Sequence, residues 1–458
     1  MMTVRDAASA LNGKQSGGDA CFTGISTDSR TAGRGDLFVA LVGPNFNGHD
    51  FIAAVKDKGA VAAMIDREFE AKAQESGIPL IRVENTRLAL GRLAAYWRGH
   101  FRIPMVAVTG SNGKTTVKEM IASILRRVAG PGGQMSDPDT VLATEGNLNN
   151  DIGVPLMLLR MRERHGYAVI EMGMNHSGEI SYLTNLVKPT IALITNAGMA
   201  HVEGLGSVEA VARAKGEIFE GLDQDGIAVI NADDSNAPLW RKLAGNRRVV
   251  DFGLSGKSKV SARYQSDFFG SSMTLVLPGG VKEVQLQVPG EHNVRNALAA
   301  AAVAVAMGIG TEAIASGLNA FHGVKGRMQK KYGRHGATLI DDSYNANPDS
   351  VRAALAVLAK AAGTKILVLG DMGELGGSAR DFHESIGTEA RMAGIDGLLA
   401  LGELSVNATK KFGPGGRHFT KIEELLAEVE SLLKPDVTLL IKGSRFMQME
   451  RVVKSIEL

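Results

Sequence analysis

Gly110, Ser111, Asn112, Gly113, Lys114, Thr115 and Thr116 follow an apolar run, Met105 to Thr109, and precede a segment with an apolar stripe. Glycines at such a turn let consecutive backbone N–H groups point inward at phosphate oxygens, and the start of the following helix adds partial positive charge. Lys114 can bridge the outer phosphates, and the Thr115 hydroxyl can ligate Mg²⁺. The spacing is not that of the general eight-residue phosphate loop, because Val108 stands where its first glycine would be. A glycine-rich strand-to-helix turn with an incidental lysine is the alternative. The order of strand, glycines, Gly-Lys-Thr-Thr and helix favours nucleotide binding over it.

Ligands of open α/β sheets gather beyond the carboxyl ends of the strands. Glu171 closes Ala168–Glu171, His201 follows Ile191–Thr195 by a short loop, and Asp341 and Asp342 end the run from Ala337. A hard Mg²⁺ ion takes oxygen ligands, which makes Glu171 a candidate second-metal ligand, with a capping or salt-bridging carboxylate as the equal alternative. A lone His201 is more often structural than ligating. Nothing intrinsic marks Lys215. Gly308-Ile-Gly310 follows a helix, which argues against a dinucleotide fingerprint, and Gly370 to Gly376 follows a strand but alone signals only a loop.

The elements that must position these residues alternate strand and helix, the pattern of an α/β protein. Strands are expected at Leu37–Leu41, Val61–Ile65, Leu80–Val83, Met105–Thr109, Ala168–Glu171, Ile191–Thr195 and Ile227–Asn231, with a helix around Arg87–Arg98. The helix after the phosphate loop should bury Val117, Met120, Ile121, Ile124, Leu125 and Val128. An Ala-rich helix over residues 297–307 stops at Gly308. From residue 324 a doubly wound, Rossmann-like alternation follows, with strands at Ala337–Asp341, Lys365–Leu369, Gly397–Leu401 and Val437–Ile441 and helices at Ser350–Lys360 and Ile422–Leu433. Gly130–Pro138 reads as a surface insertion.

The length of 458 residues suits three domains, read as 1–101, 102–323 and 324–458. Fifty-one Lys and Arg against 49 Asp and Glu leave a net charge of +2, which excludes bulk attraction to nucleic acid or an anionic membrane. Hydrophobic content of 44% with 22% charged residues is globular. Cys21 is the single cysteine, so no intramolecular disulfide framework can form. The longest apolar run, residues 297–307, is too short to span a bilayer, and the first residues lack an apolar signal core. A soluble, monomeric cytoplasmic protein is the default expectation.

Long segments in a fixed order resemble the Mur ligases, ATP-dependent amide-bond-forming enzymes of peptidoglycan precursor synthesis. They are residues 110–116, Glu145–Pro155, Val169–Glu179, Ala200–Gly204 with Ala212–Glu217, Gly290–Ala297, Gly326–Gln329, Asp341–Pro348 and Gly370–Gly376. The resemblance implies a small N-terminal α/β domain that binds a UDP-sugar, a central parallel-sheet domain with a shortened phosphate loop, and a C-terminal Rossmann-like ligase domain. Among family activities it implies ATP-dependent addition of D-alanyl-D-alanine to UDP-N-acetylmuramoyl-tripeptide through an acyl phosphate.

It also implies roles residue by residue. Two Mg²⁺ ions are implied, one held by Thr115 with the ATP phosphates, the other by Glu171, His201 and a carbamylated Lys215. Asn293 matches an adenine-side asparagine, though it could instead cap a helix before Val294. Arg327 and Asp342 match nucleotide contacts from the third domain, Arg327 in the manner of an arginine finger. Asn345 and Asn347 resemble contacts for the incoming dipeptide, with turn stabilisation as the alternative. Asn147 and Asn149 fall in a matching substrate segment. Ser29, Arg30, Asn47, Gly48 and His49 resemble uridine-diphosphate signatures, although relatives usually carry aspartate at the position of Asn47. Two rival readings stand beside this one: a sibling ligase adding another amino acid or a folylpolyglutamate synthase, and a nucleotide-binding regulator without ligase chemistry.

Overall fold

Met105–Thr109 forms a strand with all five residues buried, as a central parallel strand requires. The chain turns sharply at Gly110 to Gly113 and enters the helix Lys114–Leu125. The computed structural model describes all residues except 71, 72, 74, 129–136, 200 and 201. Most of the expected insertion at Gly130–Pro138 lies outside the described residues, as does His201.

The chain divides into two compact units. The first comprises Met1–Ala107, Asp139–Met174 and Glu179–Thr190. Its five-stranded sheet runs in the order Lys14–Ser16, Leu80–Val83, Ala62–Asp66, Asp36–Val39 and Gly24–Ser26. The Lys14–Ser16 edge is antiparallel and the remaining pairs are parallel. Phe38, Ile52, Val55, Ile65 and Leu80 fill one side of it. The strands Val141–Ala143 and Tyr167–Glu171 pair in parallel in the same unit. The helix Thr86–Arg98, capped by the Asn85 side chain on Leu88 N–H, buries Leu90, Leu93 and Ala94.

The second unit comprises Val108–Pro138, Asn175–Gly178 and Ile191–Leu458. Ile191–Ile194, Ile227–Asn231 and Arg248–Phe252 pair in parallel register. A three-stranded antiparallel sheet follows, Ser261–Ser266, Ser271–Leu277 and Gly280–Leu286. The α/β alternation read from the sequence contains no such sheet. Its evidence was the period-two burial of Ser271, Met273, Leu275 and Leu277.

The last sheet runs in the order Gln329–Tyr332, Thr338–Asp342, Val437–Lys442, Thr364–Gly370, Gly397–Leu401 and Gly416–Phe419. Only its first pair is antiparallel. The helices Pro348–Leu358, Ala379–Met392 and Val406–Phe412 cover one face, and Ile422–Leu432 and Glu450–Ile456 the other. That is the doubly wound arrangement expected, with helices on both faces because parallel connections must cross over the sheet. Among the described residues no helix is long and apolar enough to cross a membrane.

Candidate active site

The phosphate loop is shaped by contacts that only glycine permits. A side chain on Gly110 would meet the Thr195 hydroxyl at 1.8 Å, and one on Gly113 would meet Asn296 Oδ1 at 2.3 Å. Gly113 also holds φ at +83°, in the left-handed region. A second loop, which follows the strand Ile191–Ile194, braces the first. Ser111 N–H donates to the Asn196 carbonyl at 2.9 Å, Asn112 N–H to Asn196 Oδ1 at 2.9 Å, and Gly198 N–H to the Ser111 hydroxyl at 2.9 Å. Thr195 and Asn196 side chains both donate to the Asn112 carbonyl. Braced this way, the loop presents a preformed cradle. The Lys114 ammonium folds over it and donates to the Gly110 carbonyl at 2.6 Å.

The helix behind the loop buries Val117, Met120, Ile121, Ile124 and Leu125 as expected, but ends at Leu125, before Val128. Lys118 is buried too, an unexpected cation inside an apolar stripe, and pairs with Glu119. Thr116 is buried in the first turn.

Third-domain residues reach this loop directly. The Arg327 guanidinium donates to the Thr115 hydroxyl at 3.0 Å and lies 4.3 Å from the centre of the Tyr344 ring. Its Nε is buried with no hydrogen-bond partner, so one donor of the fork stays available. Asp342 accepts from Met328 N–H at 3.1 Å and pairs with the buried Lys442 ammonium. Asn347 Nδ2 donates to Asn112 Oδ1 at 2.8 Å, and its oxygen caps the helix Pro348–Leu358. Asn345 is exposed, and its oxygen accepts from Ala346 and Arg445 N–H groups. Asn345 is thus open to solvent, whereas the Asn347 side chain is engaged within the protein.

Asn293 lies within the helix Glu291–Ala306, whose N-cap is Gly290. It is therefore not the cap that its place before Val294 allowed. It donates to the Pro289 carbonyl at 2.8 Å and accepts from Asn296 at 3.2 Å. Asn296, three residues on and on the same face, lies against the phosphate loop at Gly113. The i, i+3 pair of asparagines was the signal for it.

Glu171 ends its strand 2% exposed. One carboxylate oxygen accepts from Asn149 Nδ2 at 2.9 Å, while Oε2 is buried with no partner. A buried carboxylate oxygen without a donor is costly unless a cation or proton meets it. Asn149 orients this carboxylate within the first unit, and Asn147 is exposed nearby in sequence. Lys215, 1% exposed on the helix Val208–Gly216, is the other unusual group. Burial and the charge of Lys114 hold its ammonium well below the ordinary lysine value. A neutral amine is the nucleophile that carbon dioxide requires, so these surroundings suit carbamylation. Among the described residues no three His, Cys, Asp or Glu side chains converge on one point, a count that leaves out lysine-derived and hydroxyl ligands.

In the first unit, Arg30 is exposed and forks onto Asp28 at 2.7 and 2.9 Å, which holds the Asp28 carboxyl down at about 2. The Ser29 carbonyl accepts from Lys58 at 2.7 Å. Asn47 caps the short helix Gly48–Phe51 through His49 N–H. His49 is buried, accepts from Asp66 N–H at 3.0 Å and stacks on Phe69. Gly48 packs on the Leu41 backbone, where a side chain would meet nitrogen at 2.7 Å. His49 and Gly48 therefore shape this loop from within, whereas Arg30 is exposed and Ser29 partly buried.

Residues 22–98 match the family described as "Mur ligase family, catalytic domain", residues 108–304 "Mur ligase middle domain", and residues 326–445 "Mur ligase, glutamate ligase domain". The chain is 40% identical over 460 residues to the UDP-N-acetylmuramoyl-tripeptide--D-alanyl-D-alanine ligase of Escherichia coli, covering 100% of this chain and 98% of that protein. A crystal structure of MurF from Acinetobacter baumannii superposes with a TM-score of 0.89 at 37% identity, covering 98% of this chain and 97% of that one. The MurF ligase of Thermotoga maritima, solved in complex with ADP, gives 0.80 at 26% identity over 94% of this chain and 96% of its own. A small N-terminal α/β domain, a central parallel-sheet domain and a C-terminal Rossmann-like domain thus recur here in one order, and the chain belongs to the Mur ligase family.

Proposed function

We propose that this chain is an ATP-dependent ligase that adds D-alanyl-D-alanine to UDP-N-acetylmuramoyl-tripeptide, giving the pentapeptide, ADP and phosphate. The observation that carries the reading is the braced phosphate loop with a third-domain arginine set on Thr115. Full-length identity to ligases named for this reaction supports the choice of substrates. We assign residues 1–101 to the UDP-sugar, 102–323 to ATP and 324–458 to the ligation step, with a monomer in the cytoplasm as the working form.

A carboxylate does not acylate an amine unaided, because oxide is too poor a leaving group. Transfer of the γ-phosphoryl to the terminal carboxylate of the peptide gives an acyl phosphate, which the dipeptide amine attacks, releasing phosphate. Gly110 to Thr116 hold the phosphates through backbone N–H groups, and Lys114 swings from its own loop carbonyls onto the outer phosphates. Arg327 offsets charge that builds on the transferring group. Asn293 serves the adenine, Asp342, paired with Lys442, serves the nucleotide from the third domain, and Asn345 and Asn347 serve the dipeptide. Ser29, Arg30 and the loop at Asn47 to His49 serve the uridine diphosphate, and Asn147 and Asn149 the peptide side.

Thr115, Glu171, His201 and the carbamate of Lys215 are the side chains we assign to two Mg²⁺ ions. The unpartnered Glu171 oxygen fits a cation, and the depressed Lys215 ammonium fits the neutral amine that carbamylation needs. Bound Mg²⁺ would neutralise phosphate charge so that two anionic reactants can meet. The test is mass spectrometry of products from UDP-N-acetylmuramoyl-tripeptide, D-alanyl-D-alanine and ATP. A pentapeptide product with ADP is expected, and its absence would overturn the reading.

A further inference from the structure

Two residues at the start of one third-domain helix, Pro348–Leu358, reach the two loops that form the phosphate cradle. Asn347 donates to Asn112 of the phosphate loop at 2.8 Å, and Asp349 Oδ2 accepts from Met199 N–H of the bracing loop at 3.0 Å. The fit at the second contact is close. A side chain on Gly198 would meet Asp349 Oδ2 at 2.7 Å. Behind it, Arg352 donates to Asp349 Oδ1 at 3.2 Å and forks onto Glu389 of the helix Ala379–Met392 at 2.9 and 3.1 Å. Glu389 is held in turn by the Ser385 hydroxyl at 2.6 Å. The carboxylate that meets Met199 is thus aimed by a chain of charge-assisted contacts running across two helices of the third domain.

We infer that Asp349 is a positioning residue for phosphoryl transfer: it fixes the loop Asn196–Met199 against Ser111 and Asn112 when the third domain is docked. The inference rests on the ligase reading, and it makes the third domain a second support for the cradle that the bracing loop forms. Asn196 and Gly198 supply five of the hydrogen bonds that hold Ser111 and Asn112. Loosening them moves the groups that hold the transferring phosphate, and a misplacement of about 1 Å can cost about 100-fold in rate.

The experiment compares the full chain with Asp349→Ala, Asp349→Asn, Gly198→Ala and the Asp349→Ala/Gly198→Ala double variant. Initial rates of ADP release with both peptide substrates are measured together with hydrogen exchange of the segment containing Met199. Asp349→Ala and Gly198→Ala should each lower kcat about tenfold or more while KM for ATP moves within about threefold. Both should raise exchange at Met199. Asp349→Asn keeps an acceptor oxygen and should recover most of both readouts. The double variant should be no worse than either single one, because both remove one contact.

Wild-type kcat in Asp349→Ala, or slowed turnover with Met199 exchange unchanged, would overturn the inference. A general rise of exchange through the helix Pro348–Leu358 would mark a purely structural role and overturn it equally. Failure of the wild-type chain to release ADP would instead overturn the ligase reading, while the Met199 exchange would still report on the contact.

Discussion

Lys215 joins two facts that a sequence does not display together: it is shut away from water, and it feels the charge of another cation, Lys114. Both disfavour the ammonium form, which is the condition the proposed carbamylation needs. Replacing it with alanine should lower turnover by about 10²–10³-fold, the usual cost of removing one preorganised charge-stabilising group. Partial rescue by added acetate or formate, followed by phosphate release, checks that the missing function is a carboxylate. Full activity in Lys215→Ala would sink the assignment. From the sequence alone this lysine was one of many on an amphipathic helix, and only the family resemblance singled it out. Glu171 was legible as a strand-end acid, but its orphaned oxygen needed coordinates. Asn347 was singled out by the family resemblance as a dipeptide contact, and its bridge to Asn112 is a contact the sequence did not display.

Loops and helices set these side chains, and two predictions belong to them. Gly113→Ala would place a methyl group against Asn296 and force a left-handed backbone, about 1–3 kcal/mol of strain. ATP affinity should fall about tenfold or more, which titration calorimetry can check; unchanged affinity would show that the loop is not preformed by this contact. The second concerns the loop after the strand Thr364–Gly370. His383 is buried on the helix Ala379–Met392, donates through Nδ1 to the Ala379 carbonyl and accepts Met372 N–H at Nε2 at 3.0 Å. Burial lowers its pKa, so the folded chain favours the neutral ring. That contribution is full above the unfolded value of about 6.5 and is lost as pH falls toward the lower folded value. Urea unfolding should therefore show stability declining below about pH 6.5, and His383→Gln should decline less. Equal slopes would refute the assignment. Strand positions such as Met105–Thr109, Leu80–Val83 and Gly397–Leu401 were legible from apolar runs. The antiparallel strands of residues 261–286 were not, because their outward faces dilute the apolar signal.

Across the whole molecule, a hairpin turn of the antiparallel sheet reaches the third-domain core. Phe268 packs against the cluster around Val357 and Ala361, and Phe269 lies 3.9 Å from the Lys330 ammonium. Lys360 donates to the Ser266 carbonyl at 2.9 Å. Phe268→Ala should lower unfolding free energy by about 1–2 kcal/mol, less than a fully buried phenylalanine because the ring is only partly covered. Chemical denaturation measures it, and no change would show that the turn is not an anchor. The sequence by itself determined the α/β alternation, the phosphate loop and the family, because strand burial and backbone-to-phosphate approach impose local patterns and local glycines. Only the tertiary structure decided that Arg327 sits on Thr115, that Asn347 meets Asn112, and that Asp349 meets Met199. Those partners lie 150 to 235 positions apart in the chain, and side chains so distant meet only where packing brings them, which no local pattern encodes.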